Sequence, residues 1–286
     1  MQIEIKPLPA GLYFVSTPIG AARDITLRAL DVLASADVLA AEDTRTLRKL
    51  MDIHGVALKD RPLIAYHDHN GPAQRPRILA ALKDGRSVAY ASEAGTPLVA
   101  DPGFVLARET VAAGHKIIAA PGPSAAIAAL TVSALPSDRF FFAGFTPTGG
   151  GARRTALDEL AKIPGTVILY ESPKRVHKLL DAMVQSFGGE RQGVICRELT
   201  KKFEEIMRGT LSELTQEIAG RTLKGEIVVL VDRAEARAAT PQEIEEALVE
   251  RLKTMSVKDA AADVAKVMGL ARRDVYQAAL ALGKND

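Results

Sequence analysis

The chain has 286 residues, 47% of them apolar, which is too long for one average domain and too apolar for a disordered protein. Tryptophan is absent and aromatics make up 5%, so the cores must be built from Ala, Val, Leu and Ile, as in helices packed on parallel strands. A net charge of +2 offers little bulk attraction to nucleic acid, which would need basic residues gathered on one face, and a single cysteine, Cys196, excludes an internal disulfide and fits a reducing cytoplasm.

GLYFVS at 11–16 predicts a short buried strand, TPIG a turn and DITLRALDVLASA an amphipathic helix. VLAAED is a second strand, TRTLRKLMDIHG a helix closed by Gly55, and LIAYHDHN a strand running into a loop. AQRPRILAALKDGRS predicts a helix with Pro76 in its first turn. VAYASEAGTP, FVLARETVAAG and KIIAAPGPSA then give strand, helix and strand, so the first half predicts a mostly parallel sheet with helices on both faces. After FFFAGF, Gly149, Gly150 and Gly151 beside Thr148 predict a linker or mobile loop. A second α/β block follows: strands in TVILYES, GVICREL and GEIVVLVD, helices in KRVHKLLDAMVQSFG and LSELTQEIAG, and EEIMRGT as a hairpin arm or loop. From Thr240, an N-cap, the pattern is all helix, ending in two short helices around Gly269 in the manner of a helix-turn-helix or a small packing domain. The expected division is 1–124, 125–239 and 240–286. No long apolar run predicts a membrane segment, and MQIEIKPLPA is not a signal peptide.

Four loops after strands are dense in Gly, Pro and small polar residues: Ser16–Gly20, Ser92–Pro97, Asp101–Gly103 and Pro121–Ala125. Such residues remove side-chain bulk and let backbone groups face a ligand. Any one would be a tight turn; four at strand ends favour a binding cleft. Neither GxGxxG, GxxxxGK[ST] nor GxSxG occurs, and His67 and His69 lack the companions of a metal site, so no metal is expected.

In this order, GLYFVSTPIG with DITLRAL, AEDTRTLRKL, YHDHN, SEAGTPLVADPG, PGPSAAIAAL, FFFAGFTP, LYESPKR, CRELTKKFEE and GEIVVLV cover Gly11 to Val231. They resemble the tetrapyrrole (corrin/porphyrin) methylase superfamily, and within it the branch of small-subunit ribosomal RNA (cytidine-2′-O)-methyltransferases. The sequence departs from that branch at Ala21, where PIGN is usual, and at Glu93, where SDAGTP is usual.

The resemblance implies two α/β domains of the tetrapyrrole methylase type with S-adenosylmethionine (SAM) in the cleft between them, and a small C-terminal helical domain. It implies cofactor contacts at Thr17, Pro18, Glu93, Ala94, Gly95, Thr96, Ser124, Ala125, Tyr170, Arg197, Glu198 and Leu199, with the start of the GEIVVLV strand. The substrate it implies is a cytidine ribose in the decoding region of 16S rRNA, within the assembled 30S subunit, and the enzyme it implies is a cytoplasmic homodimer. A ribose hydroxyl must lose its proton, which calls for a base or a charged orienting group. Glu42, Asp43, His67, Glu93 and Lys201 are candidates, and Glu93 and Lys201 are preferred because their motifs are expected to border the cleft. RNA is expected to be gripped by Arg45, Arg48, Lys49, Arg153, Arg154, Lys174, Arg175, Lys201 and Lys202. Methylation of a corrin or porphyrin precursor is the alternative; the paired basic residues and the C-terminal helices count against it.

Overall fold

The computed structural model describes residues 3–67, 69–234 and 241–282, which fall into two compact units divided after Arg233. The first unit carries two five-stranded sheets. Strands β1 (Gly11–Val15), β2 (Val38–Ala41), β3 (Leu63–Ala65), β4 (Ser87–Ala91) and β5 (Ile117–Ala120) form the first, in the order β3-β2-β4-β1-β5, with every pairing parallel. Its strands are apolar on both faces because both are covered. Tyr13, Val15, Leu39 and Ala89 point to one core, which includes Leu30 and Leu33 of α1 (Leu27–Ser35) and Leu47 and Met51 of α2 (Thr44–Ile53). Leu12, Phe14, Val88 and Tyr90 point to the other, with Ile78 and Leu82 of α3 (Gly71–Lys83) and Leu106 of α4 (Phe104–Ala112).

Strands β6 (Phe140–Phe145), β7 (Thr166–Glu171), β8 (Gln192–Arg197), β9 (Glu205–Thr210) and β10 (Ile227–Val231) form the second sheet, in the order β6-β7-β10-β8-β9. It is mixed: β6 and β7 run parallel, and the other three pairings are antiparallel. The hairpin arm expected at EEIMRGT is β9. Alternation along the strands again serves two cores. Val167, Leu169, Ile195 and Val229 meet α6 (Gly150–Leu160), α7 (Val176–Phe187) and α8 (Leu211–Ile218), while Ile168, Val194, Cys196 and Val228 meet α5 (Ala125–Ser133). Ile19, from the loop after β1, is buried in that second core and so joins the two halves of the unit.

Two local expectations are corrected. Gly150 and Gly151 are not a linker; they open α6, with Gly149 as N-cap. The helix holds because Leu157 is fully buried and Arg153 folds back onto the carbonyls of Pro147 (3.2 Å) and Thr148 (3.1 Å). The first-turn proline of α3 is Pro72, and Pro76 lies inside that helix. The helix is kept by the burial of Ile78, Ala81 and Leu82, which outweighs one missing N–H donor.

The second unit is a three-helix cluster, α9 (Pro241–Leu252), α10 (Val257–Met268) and α11 (Arg272–Leu282), packed around Leu248, Ala261, Val264, Val275 and Ala279. Gly269 ends α10 with φ +67°, in the left-handed region that suits glycine. The N-cap expected at Thr240 lies outside the described residues. Among the described residues no helix is long and apolar enough to cross a membrane.

Candidate functional site

Because every strand of the first sheet is parallel, the loops after β1, β4 and β5 meet at one edge. Thr17 and Gly95 exchange both backbone hydrogen bonds, at 2.9 and 3.0 Å. The Thr17 hydroxyl donates to the Ser92 carbonyl (3.2 Å), and the Thr96 hydroxyl donates to the Pro123 carbonyl (2.9 Å), which ties in the loop after β5. Gly95 has φ +85°, and a Cβ there would lie 3.4 Å from Ile19. Leu98 (φ +71°) and Ala100 (φ +54°) take left-handed backbone in the same segment without being glycine. Such conformations cost on the order of 1–3 kcal/mol each and gather at functional sites.

The second sheet contributes the opposite wall. At the end of β7 the Tyr170 hydroxyl accepts from the Ala126 N–H at the start of α5 (3.0 Å), and its ring meets Phe142 and Phe145 edge-on. Next to it, the Glu171 carboxylate is fully buried. It accepts from the Ser172 N–H (2.8 Å) and the Thr146 hydroxyl (3.2 Å) and pairs with Arg175 (3.1 Å). Before β10, Glu226 accepts through its carbonyl from the Glu198 N–H (2.9 Å), and its own N–H donates to the Glu198 carboxylate (3.0 Å). The Lys201 ammonium sits between the Glu198 (2.8 Å) and Glu226 (2.9 Å) carboxylates. The Thr200 hydroxyl accepts from the Ala21 N–H (3.0 Å), which fastens this loop to the one after β1.

Between these walls lies a cavity of about 340 Å³. The first sheet supplies Ala94, Gly95, Thr96 and the Val99–Asp101 segment, and α5 supplies Ser124 and Ala125 at its N-terminal end. The second sheet supplies Tyr170, Glu171, Glu226 and Val228. Every ionisable acid or base among the charged lining residues is a carboxylate: Asp101, Glu171 and Glu226. Burial, then the charges of Glu42, Asp43 and Glu226, push the Glu93 carboxyl above its ordinary value. The hydrogen bond from the Arg45 side chain, with that from its backbone, holds Asp43 down at about 2, and Asp43 also N-caps α2. Burial pulls the Lys201 ammonium down, but the hydrogen bonds and charges of Glu198 and Glu226 outweigh it, and the net shift is upward. The two carboxylates thus favour the charged form of Lys201. Among the described residues, no group of three or more His, Cys, Asp and Glu is arranged to hold a metal ion.

Of the residues expected at the cofactor, Ala94, Gly95, Thr96, Ser124, Ala125 and Tyr170 line this cavity. Thr17 is buried beneath it and shapes it through its bridge to Gly95, and Pro18 is half-buried in the same loop. Glu93 is exposed beside it. Leu199 is buried in the core around α5. Arg197 and Glu198 line a separate cavity instead, because Arg197 follows Cys196 on β8 and so points to the other face of the sheet. Sequence reasoning left Val99, Ala100, Phe145, Glu171, Ser172 and Pro173 without a role. The LYESPKR motif marked Glu171, Ser172 and Pro173, SEAGTPLVADPG marked Val99 and Ala100, and FFFAGFTP marked Phe145.

The basic residues divide. Arg45, Arg48, Lys49, Lys174 and Lys202 are exposed. Arg154 is half-exposed and reaches Asp158 and Gln185. Arg153 departs from the expectation: it is 6% exposed, and its guanidinium serves the backbone before α6. Arg175 likewise is engaged by Glu171 and by the Thr146 and Pro147 carbonyls.

Residues 11–215 match the family profile described as Tetrapyrrole (Corrin/Porphyrin) Methylases, and residues 238–283 match one described as the RsmI C-terminal HTH domain. A protein of Mesorhizobium japonicum named Ribosomal RNA small subunit methyltransferase I is 48% identical over 282 residues, covering 98% of this chain and 95% of its own. A protein of the same name from Vibrio cholerae is 43% identical over 95% of this chain and 96% of its own. Among solved structures, uroporphyrin-III-C-methyltransferase from Thermus thermophilus superposes with a TM-score of 0.55 at 21% identity, over 79% of this chain and 95% of that one. A structure of that enzyme complexed with S-adenyl homocysteine gives 0.54 at 18% identity, over 77% and 96%.

Proposed function

The chain belongs to the tetrapyrrole (corrin/porphyrin) methylase family, and from that premise we propose that it methylates a cytidine 2′-oxygen in small-subunit ribosomal RNA, using SAM. The observation that carries the cofactor reading is the cavity itself: about 340 Å³ between the loops of the two sheets, lined by Ala94, Gly95, Thr96, Ser124, Ala125 and Tyr170. The carboxylates of Asp101 and Glu226 on its lining suit an ammonium and a sulfonium, with Glu226 shared with Lys201 and Glu171 paired with Arg175. Ile19, Val99, Ile227 and Val228 offer an apolar face for adenine, and the N-terminal turn of α5 at Ser124 and Ala125 offers donors for a carboxylate.

SAM, when bound, supplies an electrophilic methyl group. This chain's residues bind, orient and move the proton. The Thr17–Gly95 bridge and the Thr96–Pro123 bond fix the floor of the cavity, and orientation of this kind is worth ~7–11 kcal/mol in bimolecular reactions. Glu93, exposed next to the lining residue Ala94 and raised above the ordinary carboxyl value, takes the proton of the ribose hydroxyl. Lys201, held protonated, is a charged orienting group: it fixes Glu226 at the rim. Arg45, Arg48, Lys49, Arg154, Lys174 and Lys202 supply the phosphate contacts.

The relatives named for small-subunit rRNA align over nearly the whole chain, including the C-terminal helices, which favours RNA over a porphyrin substrate. In this reading 1–124 and 125–239 are the two domains that close on the cofactor, and 240–286 is a third that engages the substrate. The decoding region of the assembled 30S subunit is the target, the cytoplasm the location and a homodimer the working form. Mass spectrometry of small-subunit rRNA from cells with and without the gene tests the proposal. One additional methyl on a single nucleotide, present only with the gene, is expected; identical spectra would overturn it.

A further inference from the structure

Beyond the rim formed by Glu198 and Glu226 lies a second cavity, of about 300 Å³, on the other face of the second sheet. Phe203, in the loop between β8 and β9, borders it and is 63% exposed, an unusual position for a phenyl ring on so polar a loop. The loop that presents it is fixed. Glu198 (φ +53°) and Thr200 (φ +64°) take left-handed backbone, the Thr200 N–H donates to the Glu204 carboxylate at 2.6 Å, and Lys201 is clamped by two carboxylates. One cation lies against the ring and others line the same cavity. Lys202 holds its ammonium 5.6 Å from the ring centroid. Arg197 and Arg221 also border the cavity; both pair with Glu205, at 2.9 and 2.7 Å, and Arg221 also lies 4.0 Å from Glu217, so carboxylates hold the two guanidiniums in orientation. Lys224, exposed on the same rim, adds another cation.

An exposed aromatic among fixed guanidiniums and flexible ammoniums is the arrangement by which proteins hold single-stranded RNA: the base stacks on the ring and the phosphates meet the cations. We propose that the second cavity is a subsite for an unpaired base of the RNA strand that carries the target nucleotide, stacked on Phe203, with its phosphates held by Arg221, Lys224 and Lys202. This rests on the RNA reading above, and it assigns to RNA the place that Arg197 was expected to give to the cofactor.

The absence of tryptophan makes the test direct. Phe203→Trp introduces a single tryptophan at the ring position in the full-length protein, excited at wavelengths the five tyrosines do not absorb. A single-stranded oligoribonucleotide of mixed sequence is expected to quench it, and the fully paired duplex is not. In methylation of small subunits, Phe203→Ala is expected to raise KM for the subunit about ten-fold, the size of one lost stacking contact, and Phe203→Trp to restore it. Calorimetry should find SAM affinity unchanged in both variants. Lys224→Ala should flatten the plot of log K against log salt by about 0.7, the share of one phosphate on a single strand. Unquenched emission with the single strand overturns the subsite, as does a KM in Phe203→Ala equal to the wild-type value. A wild-type enzyme that methylates no small-subunit RNA refutes the functional reading instead, and the fluorescence result still decides the subsite.

Discussion

Arg153 and Arg154 are neighbours in sequence with opposite fates, and replacing each by alanine separates a structural arginine from a surface one. Arg153 is 6% exposed, and its guanidinium donates to the Pro147 and Thr148 carbonyls at 3.2 and 3.1 Å. A hydrogen bond from a charged donor contributes about 1.5–3 kcal/mol. Both acceptors belong to exposed residues that water can reach once the guanidinium is gone, so the pair together should cost about 2–3 kcal/mol. For a unit of this size each kcal/mol lowers Tm by roughly 2–4 °C, so Arg153→Ala should melt about 5–10 °C below wild type. Arg154, about half-exposed and paired with Asp158 at 3.3 Å, holds a surface ion pair of less than about 1 kcal/mol. Its alanine variant should melt within about 2 °C of wild type and flatten the salt dependence of RNA binding. Circular dichroism melts and RNA titrations at several salt concentrations check both. If Arg153→Ala kept the wild-type Tm and flattened the salt plot, the inward orientation of Arg153 would be wrong.

Gly95→Trp should abolish SAM binding by calorimetry while circular dichroism shows a folded chain, because the side chain enters the cavity at a position with φ +85° and Ile19 only 3.4 Å away; unchanged affinity would place the cofactor elsewhere. Glu205 should make stability depend on acid pH. The Arg221 hydrogen bond holds its folded carboxyl below the ordinary value of 4.5, so its contribution is complete above that value and is lost as pH falls through the lowered one. Urea midpoints measured from pH 6 to 3 should fall more steeply for wild type than for Glu205→Gln. Removing residues 240–286 should spare SAM binding and cut methylation of small subunits strongly, with Lys258, Lys266, Arg272 and Arg273 as the lost RNA contacts; full activity after the deletion would leave the helical unit without a substrate role.

Strand and helix periodicity made most of the first unit readable, because each strand alternates between two cores and each helix lays one stripe on them. The glycine run at 149–151 misled because composition reports flexibility, whereas α6 is decided by Leu157 and Arg153 several residues later, contacts that only the tertiary fold reveals. The loops at the carboxyl edge were legible from their Gly and Pro content, and Gly95, Thr96, Ser124 and Ala125 came together as expected. Arg197 was legible in principle: its parity against Cys196 on β8 sends it away from the face that Tyr170 shares with Ile168. Lys201 could not be assigned from sequence, since its protonation depends on Glu198 and Glu226, and the latter lies 25 residues downstream.

The position of the methyl group is the most direct test of the account. A ribose 2′-OH is the nucleophile in alkaline cleavage of RNA, and once methylated it cannot attack the adjacent phosphate. Unmodified small subunits incubated with the enzyme and methyl-labelled SAM, followed by alkaline hydrolysis, should therefore yield the label in an alkali-stable dinucleotide whose first residue is cytidine. Label found only in ordinary mononucleotides would place the methyl on a base and contradict 2′-O methylation.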